Sequence, residues 1–226
     1  MILKRLFHST IGKKIIMAVT GLLLFGFVII HMLGNWQVFS GSEALNEYAV
    51  LLKSKAAILW GFRFGLLGLV ILHIWAAITL TLANRAAAPE KYADAKSLGT
   101  TWASRTMTFS GVVVLGFIIF HILHFTVRTI PGSPEYFQHD EKGRHDVYAM
   151  VVHAYRNPLI VTVYVVCVGL LCFHLSHGLQ SMFRSLGLSD RRYLPLQIWF
   201  ARAFAAFIFL GMSAVPISIF FNLKNF

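Results

Sequence analysis

Residues 116–126 read "GFIIFHILHFT", an apolar run with two imidazoles, His121 and His124, set in its middle. The run lies in an uncharged window, Thr106–Val127, and the chain holds four more: Ile15–Ser42, Phe64–Asn84, Asn157–Phe183 and Ala203–Leu223. A helix rises 1.5 Å per residue, so about 20 apolar residues cross the roughly 30 Å of hydrocarbon in a bilayer. Every window is long enough. Backbone groups inside lipid must be satisfied within the segment, and an α-helix does this without closing into a barrel. The sequence therefore predicts an all-α integral membrane protein, a single domain over residues 1–226. Five transmembrane helices are expected near 15–39, 58–84, 106–128, 157–183 and 200–223, the first four forming a bundle.

Composition agrees. The chain is 57% hydrophobic and 13% charged, with a mean hydropathy of +0.69, where a soluble domain carries about 25% charged residues. The net charge of +11 does not point to nucleic acid, because the cations crowd at the ends of the windows. With the N-terminus in the cytoplasm, twelve Lys and Arg fall inside and eight outside, as the positive-inside rule asks. Such residues also attract anionic lipid. The first window is no cleavable leader: it is too long, lacks a small-x-small site and continues into "HMLGNWQVF". Cys167 and Cys172 lie inside the fourth window and read as small buried apolar residues. No C-x-x-C-H occurs, which excludes a covalently attached haem.

An internal repeat organises the histidines. "TGLLLFGFVIIHML" (20–33) aligns without gaps on "SGVVVLGFIIFHIL" (110–123), bringing His31 onto His121. A weaker echo relates "LGLVILHI" (67–74) to "VGLLCFHL" (168–175), with His73 and His174. In all four, a glycine precedes the histidine by five residues: Gly26, Gly68, Gly116 and Gly169. Close helix–helix approach is the expected reason for these glycines.

Ionisable side chains inside a membrane are costly and need partners. His31 lies 17 residues beyond Lys14 and His121 lies 16 beyond Arg105, about 25 Å from the inner boundary. His73 precedes Arg85 by 12 residues and His174 precedes Arg184 by 10, about 15–18 Å from that boundary. The four form two layers, each with one imidazole from two helices. That is how helical bundles supply the two axial ligands of a haem, so two layers imply two haems. No Asp or Glu lies in any of the five windows, which disfavours a proton-driven transporter. A haemless anchor or transporter-like bundle is the competing class, its histidines packing or relaying protons. His124 and His177 each follow a ligand candidate by three residues. They read as hydrogen-bonding neighbours, to a haem propionate or a quinone, or as packing residues.

Four stretches carry a family resemblance: "VIIHMLGN", "LVILHIW", "SGVVVLGFIIFH" and "FHLSHGLQSMF". They are similar to the single-chain, five-helix, di-haem cytochrome b subunit of succinate:quinone oxidoreductases, fumarate reductases included. The resemblance implies a bis-histidine b haem on His73 and His174 toward the cytoplasm and a second on His31 and His121 toward the outer face. It implies a multi-pass protein of the bacterial cytoplasmic membrane with a flavoprotein and an iron–sulfur protein as partners. Those partners perform the dicarboxylate chemistry, while this chain exchanges electrons with a quinone, commonly menaquinone. Some fumarate reductases of this type carry a glutamate two residues before the fourth ligand. Here that position is Cys172, so the proton passage it serves is not expected. For quinone contacts the end of the first helix and the next loop offer Asn35, Trp36, Asn46, Glu47 and Tyr48, with Glu47 favoured for proton exchange. Lys14, Trp102, Arg105 and Arg184 are at helix ends suited to the inner haem's propionates. A quinone-linked di-haem cytochrome of a hydrogenase or formate dehydrogenase is a near alternative. Whether the complex forms dimers stays open.

Overall fold

The computed structural model describes residues 2–87, 102–130 and 139–226, with the side chains of 2–4 and 102–105 outside that description. It is all-helical, without strands among the described residues, and carries five helices long and apolar enough to cross a membrane. The α-helices in chain order are α1 (Ile2–His8), α2 (Thr10–Asn35), α3 (Ser42–Ser54), α4 (Ala56–Ala86), α5 (Trp102–His121), α6 (Val147–Tyr155), α7 (Pro158–Ser185) and α8 (Leu194–Phe220). The spans are α2, α4, α5, α7 and α8.

Local sequence fixes the boundaries. Ser9 caps α2, its hydroxyl accepting from the Gly12 amide at 3.0 Å. Gly12 also lets α1 fold back onto α2: a Cβ there would lie 2.1 Å from the Leu6 carbonyl oxygen. Asn157 caps α7 and Pro158 follows at its first position, where a missing N–H is harmless. The last helix begins at Leu194, six residues before the expected start at 200, because Pro195 starts it. α5 runs on into a π-helical turn, Ile122–Val127, that ends at Arg128 with φ 62°.

Three helices lie outside the sequence expectation, α1, α3 and α6. α3 and α6 occupy stretches expected to be polar loops, and they are short, so no window of spanning length finds them. Asp146 caps α6 through the Ala149 amide at 2.9 Å, and α6 buries Met150, Val151, Val152, Ala154 and Tyr155. Asn46 ties the two elements together. Only 1% exposed, it donates to Asp140 (3.2 Å) and Asp146 (3.0 Å) and accepts from the Tyr148 amide (3.0 Å).

An ion cluster extends this clasp. Glu43 receives Arg144 at 2.9 Å and Lys142 at 2.5 Å, and Arg144 also meets Asp140 at 2.7 Å. Hydrogen bonds from Arg144 and then Lys142 hold the Glu43 carboxyl down at about 2, against an ordinary 4.5. A depressed carboxyl contributes stability above its unfolded value and loses it as pH falls through the folded one. The clasp is therefore expected to weaken as pH drops from about 4.5 toward 2, and Glu43→Gln should flatten that part of the profile. Melting temperatures in detergent across that range check it.

The spanning helices follow a simple order: α4 packs on α2, α2 on α7 and α7 on α5, with α8 against the outside of α7 and α2. Lipid is as apolar as leucine, so helices in it associate through close fit and polar contacts. α8 shows both. Gly211 admits Met32 and Trp36, and the Trp36 indole donates to the Gly211 carbonyl at 2.8 Å. By contrast, no extended packing joins α2 to α5, α4 to α7 or α4 to α5 among the described residues. The floor of the bundle is α2 against α7, and its far corners stand apart.

Candidate functional site

Imidazoles fill the space between those separated helices. His31 on α2 meets His121 on α5 with ring centroids 5.5 Å apart and planes at 86°. His73 on α4 meets His174 on α7 at 6.5 Å and 63°. Each pair joins two helices that do not pack on one another, so the side chains reach toward each other across a gap. An aromatic residue one turn earlier flanks each outer ring: Phe27 lies 5.4 Å from His31 and Phe117 6.1 Å from His121.

The inner rings are oriented by hydroxyls. Thr20 Oγ1 stands 3.1 Å from His73 Nδ1, and Ser110 Oγ stands 3.1 Å from His174 Nδ1. Both hydroxyls already donate to main-chain carbonyls, Thr20 to Ile16 at 2.7 Å and Ser110 to Met107 at 3.0 Å. With its proton on the carbonyl, each hydroxyl oxygen is an acceptor facing Nδ1. In that arrangement the ring proton is on Nδ1 and the Nε2 lone pair is free to bind a metal, as hydrogen-bond acceptors behind the ring arrange for ligating histidines. Gly21 and Gly111 follow the hydroxyls and leave room for the rings: a Cβ would come within 3.2 Å of His73 and 3.5 Å of His174.

This explains the repeat. Thr20 precedes His31 by eleven residues, and Ser110 precedes His121 by eleven, about three turns and so on nearly the same helix face. α2 and α5 each supply one outer imidazole and one inner buttress. Eleven residues set the two layers about 16 Å apart, wider than the 7–10 Å obtained from the flanking charges. Sequence reasoning aligned Thr20 with Ser110 yet gave neither a role. The signal was a hydroxyl kept in the same column of the repeat.

The glycines five residues before the histidines need correction. A Cβ at Gly26, Gly68 or Gly116 meets nothing within 4 Å, and one at Gly169 meets only Phe209 at 3.5 Å. Close helix approach accounts for none of the four, since 3.5 Å is ordinary side-chain contact. The real close approaches are at Gly12, Gly34 and Gly211.

The remaining candidates divide. His124 is 2% exposed, its Nδ1 2.9 Å from the Tyr164 hydroxyl, which also stands 3.3 Å from His121 Nδ1. His177 pairs with Ser181 at 3.1 Å. Lys14 and Arg184 come together at the inner end, lining a cavity of about 300 Å³ with Met17, Leu80, Asn84, Ser181 and Ser185. Leu80 and Ser181 each lie seven residues, two turns, below a member of the inner pair, so the cavity is under it. Two cations and no carboxylate line it, which suits an anion. Trp102 and Arg105 begin α5, but their side chains fall outside the described residues. Glu47 is exposed on α3. Its neighbour Tyr48 reaches the end of α2, for a Cβ at Gly34, three residues after His31, would be 2.9 Å from the Tyr48 hydroxyl. Asn35 is engaged with the His31 carbonyl at 2.7 Å.

Among the described residues no three His, Cys, Asp or Glu side chains converge into a metal cage. Two-imidazole sites instead suit a metal whose other ligands come from a planar macrocycle. Metal–nitrogen bonds of about 2.0–2.1 Å on both faces put ring centroids a little over 6 Å apart; the inner pair stands at 6.5 Å and the outer pair, at 5.5 Å, must open slightly. The donor set fits a bis-histidine haem.

Such a fold and site define a multi-pass helical membrane protein built around paired intramembrane histidines. Residues 83–210 match the family described as succinate dehydrogenase/fumarate reductase transmembrane subunit, and the chain belongs to that family. It is a membrane-anchor subunit of such a complex. No curated protein and no solved structure matches the chain.

Proposed function

We propose that this anchor is of the di-haem cytochrome b type and passes electrons between an iron–sulfur subunit and a membrane quinone. The observation that carries the proposal is the two pairs of facing imidazoles, the inner pair with a hydroxyl 3.1 Å from each Nδ1. His73 and His174 hold the haem on the cytoplasmic side, and His31 and His121 hold the outer one. When bound, the two haems supply one-electron carriers stacked across the bilayer. The chain's own residues hold the rings in one tautomer and exclude water from both layers. Lys14 and Arg184 neutralise the inner propionates. Near the outer pair, the Tyr48 hydroxyl donates to a quinone oxygen, and Glu47 exchanges protons with the outer aqueous phase. The quinone is menaquinone, as the resemblance implies, and the partners are a flavoprotein and an iron–sulfur protein docked on the cytoplasmic side of a bacterial inner membrane. The family match favours this over a hydrogenase or formate dehydrogenase cytochrome.

A redox-titrated absorption spectrum of the purified complex, with haem stoichiometry, tests the reading. Two b-type haems per chain are expected, with two resolvable midpoint potentials. A colourless, haem-free complex overturns it in favour of a haemless anchor.

A further inference from the structure

The four imidazoles are not supported alike. His73 and His174 each have a private aliphatic hydroxyl on Nδ1. His121 instead shares a phenol: Tyr164 Oη lies 3.3 Å from His121 Nδ1 and 2.9 Å from His124 Nδ1. Tyr164 is 4% exposed and held on all sides by rings, with Phe117, Phe120, Phe125 and Tyr155 at 5.2–5.8 Å.

A phenol has one proton. If His121 binds iron through Nε2, its Nδ1 carries a hydrogen and the phenol must accept it. Tyr164 then turns its own proton to His124 Nδ1, the nearer nitrogen, which must be unprotonated there. The chain His121 Nδ1–H to Tyr164 Oη–H to His124 Nδ1 runs in one direction only. Donation to a good acceptor makes an imidazole a more basic ligand, and hydrogen bonding to a ligand is one of the protein's levers on haem potential. A phenol whose own proton is drawn off by a second imidazole is a better acceptor than an isolated one, because hydrogen bonds in a chain polarise each other.

On the reading above, which this inference deepens, we infer that Tyr164 is the positioning residue that sets the potential of the outer haem, with His124 as the base that orients it. Neither residue touches iron. Removing the phenol oxygen takes the acceptor from His121, makes that imidazole a weaker donor to iron and favours the reduced state of the outer haem. The inner haem, buttressed by Thr20 and Ser110, has no share in this chain.

The test is Tyr164→Phe in the whole complex, read by redox titration and by low-temperature electron paramagnetic resonance of the oxidised haems. The expected result is two haems per chain, an outer midpoint shifted upward by about fivefold in the reduced-to-oxidised ratio at fixed poise, and altered outer g-values. For one electron a tenfold change is 59 mV, so the shift is about 40 mV. Inner values stay fixed. Because the single variant strands His124 Nδ1, the double variant Tyr164→Phe with His124→Phe is made alongside and should give the same upward shift. Unchanged outer potential and g-values in both variants overturn the inference while leaving the di-haem reading intact. Loss of the outer haem from both, with the inner haem kept, also overturns it and makes Tyr164 a packing element. A haem-free wild-type complex instead fails the underlying reading.

Discussion

Replacing His174 with leucine is expected to halve the haem content of the complex, leaving the outer haem with its own potential. The argument is steric and chemical together. Leucine comes close to the imidazole in volume, and the Ser110 hydroxyl keeps its bond to the Met107 carbonyl, so no buried polar group is stranded. The bundle should persist while a metal ligand is gone. His73→Leu should remove the same haem, and the His73, His174 double variant should lose no more than either single, because both rings serve one iron. His31→Leu or His121→Leu should remove the other haem. A variant combining one residue from each pair should carry none. His124→Leu and His177→Leu are the controls, expected to retain both haems, since their imidazoles engage Tyr164 and Ser181. Electron transfer from the iron–sulfur subunit to quinone should fall to background in all four ligand variants, because each breaks the wire at one layer. Haem per protein by alkaline pyridine spectra decides the matter. Equal loss of both haems from every single variant would mean that the histidines hold the fold and not separate irons.

Much of this architecture was legible in the sequence for a physical reason. Hydrocarbon imposes a length and a polarity on every spanning helix, so five uncharged windows sufficed to give five spans, and an imidazole within one stands out. The pairing followed from depth, since rise per residue converts position to height. What sequence could not give was lateral arrangement. Nothing in "TGLLLFGFVIIHML" says that Thr20 faces His73 on another helix, because the contact joins residues 53 apart in the chain. Tyr164 was likewise silent, one aromatic residue among many in an apolar segment. The glycines misled for the opposite reason. Gly26, Gly68 and Gly116 formed a pattern, but a pattern of small residues does not reveal whether a backbone or open space lies opposite. The short helices α3 and α6 escaped because, at 13 and 9 residues, neither reaches the length by which spanning helices are found.

The second large effect should come from residues that never approach a metal. Thr20→Val and Ser110→Ala remove the acceptors for His73 Nδ1 and His174 Nδ1 while changing side-chain volume little. A buried imidazole that loses its Nδ1 partner has two options, an unsatisfied N–H or a switch to the Nε2–H tautomer. The first costs about 1–3 kcal/mol. The second places a proton on the lone pair that iron needs. Either way ligation weakens, and loss of such an outer-shell partner typically lowers metal affinity 10- to 100-fold, about 1.4–2.8 kcal/mol. Each single variant is expected to release the inner haem at least tenfold faster to an excess of a haem-binding acceptor protein. Together the two should exceed either, though not by the full product, because both rings serve one iron and their losses are coupled. Thr20→Ser keeps the oxygen and should behave as wild type. The outer haem supplies the internal control: its ligands touch neither hydroxyl, so its release rate and potential should not move. If the double variant keeps both haems at the wild-type release rate, the hydroxyls fill space and do not choose the tautomer, and the case for a metal-ready Nε2 fails with them.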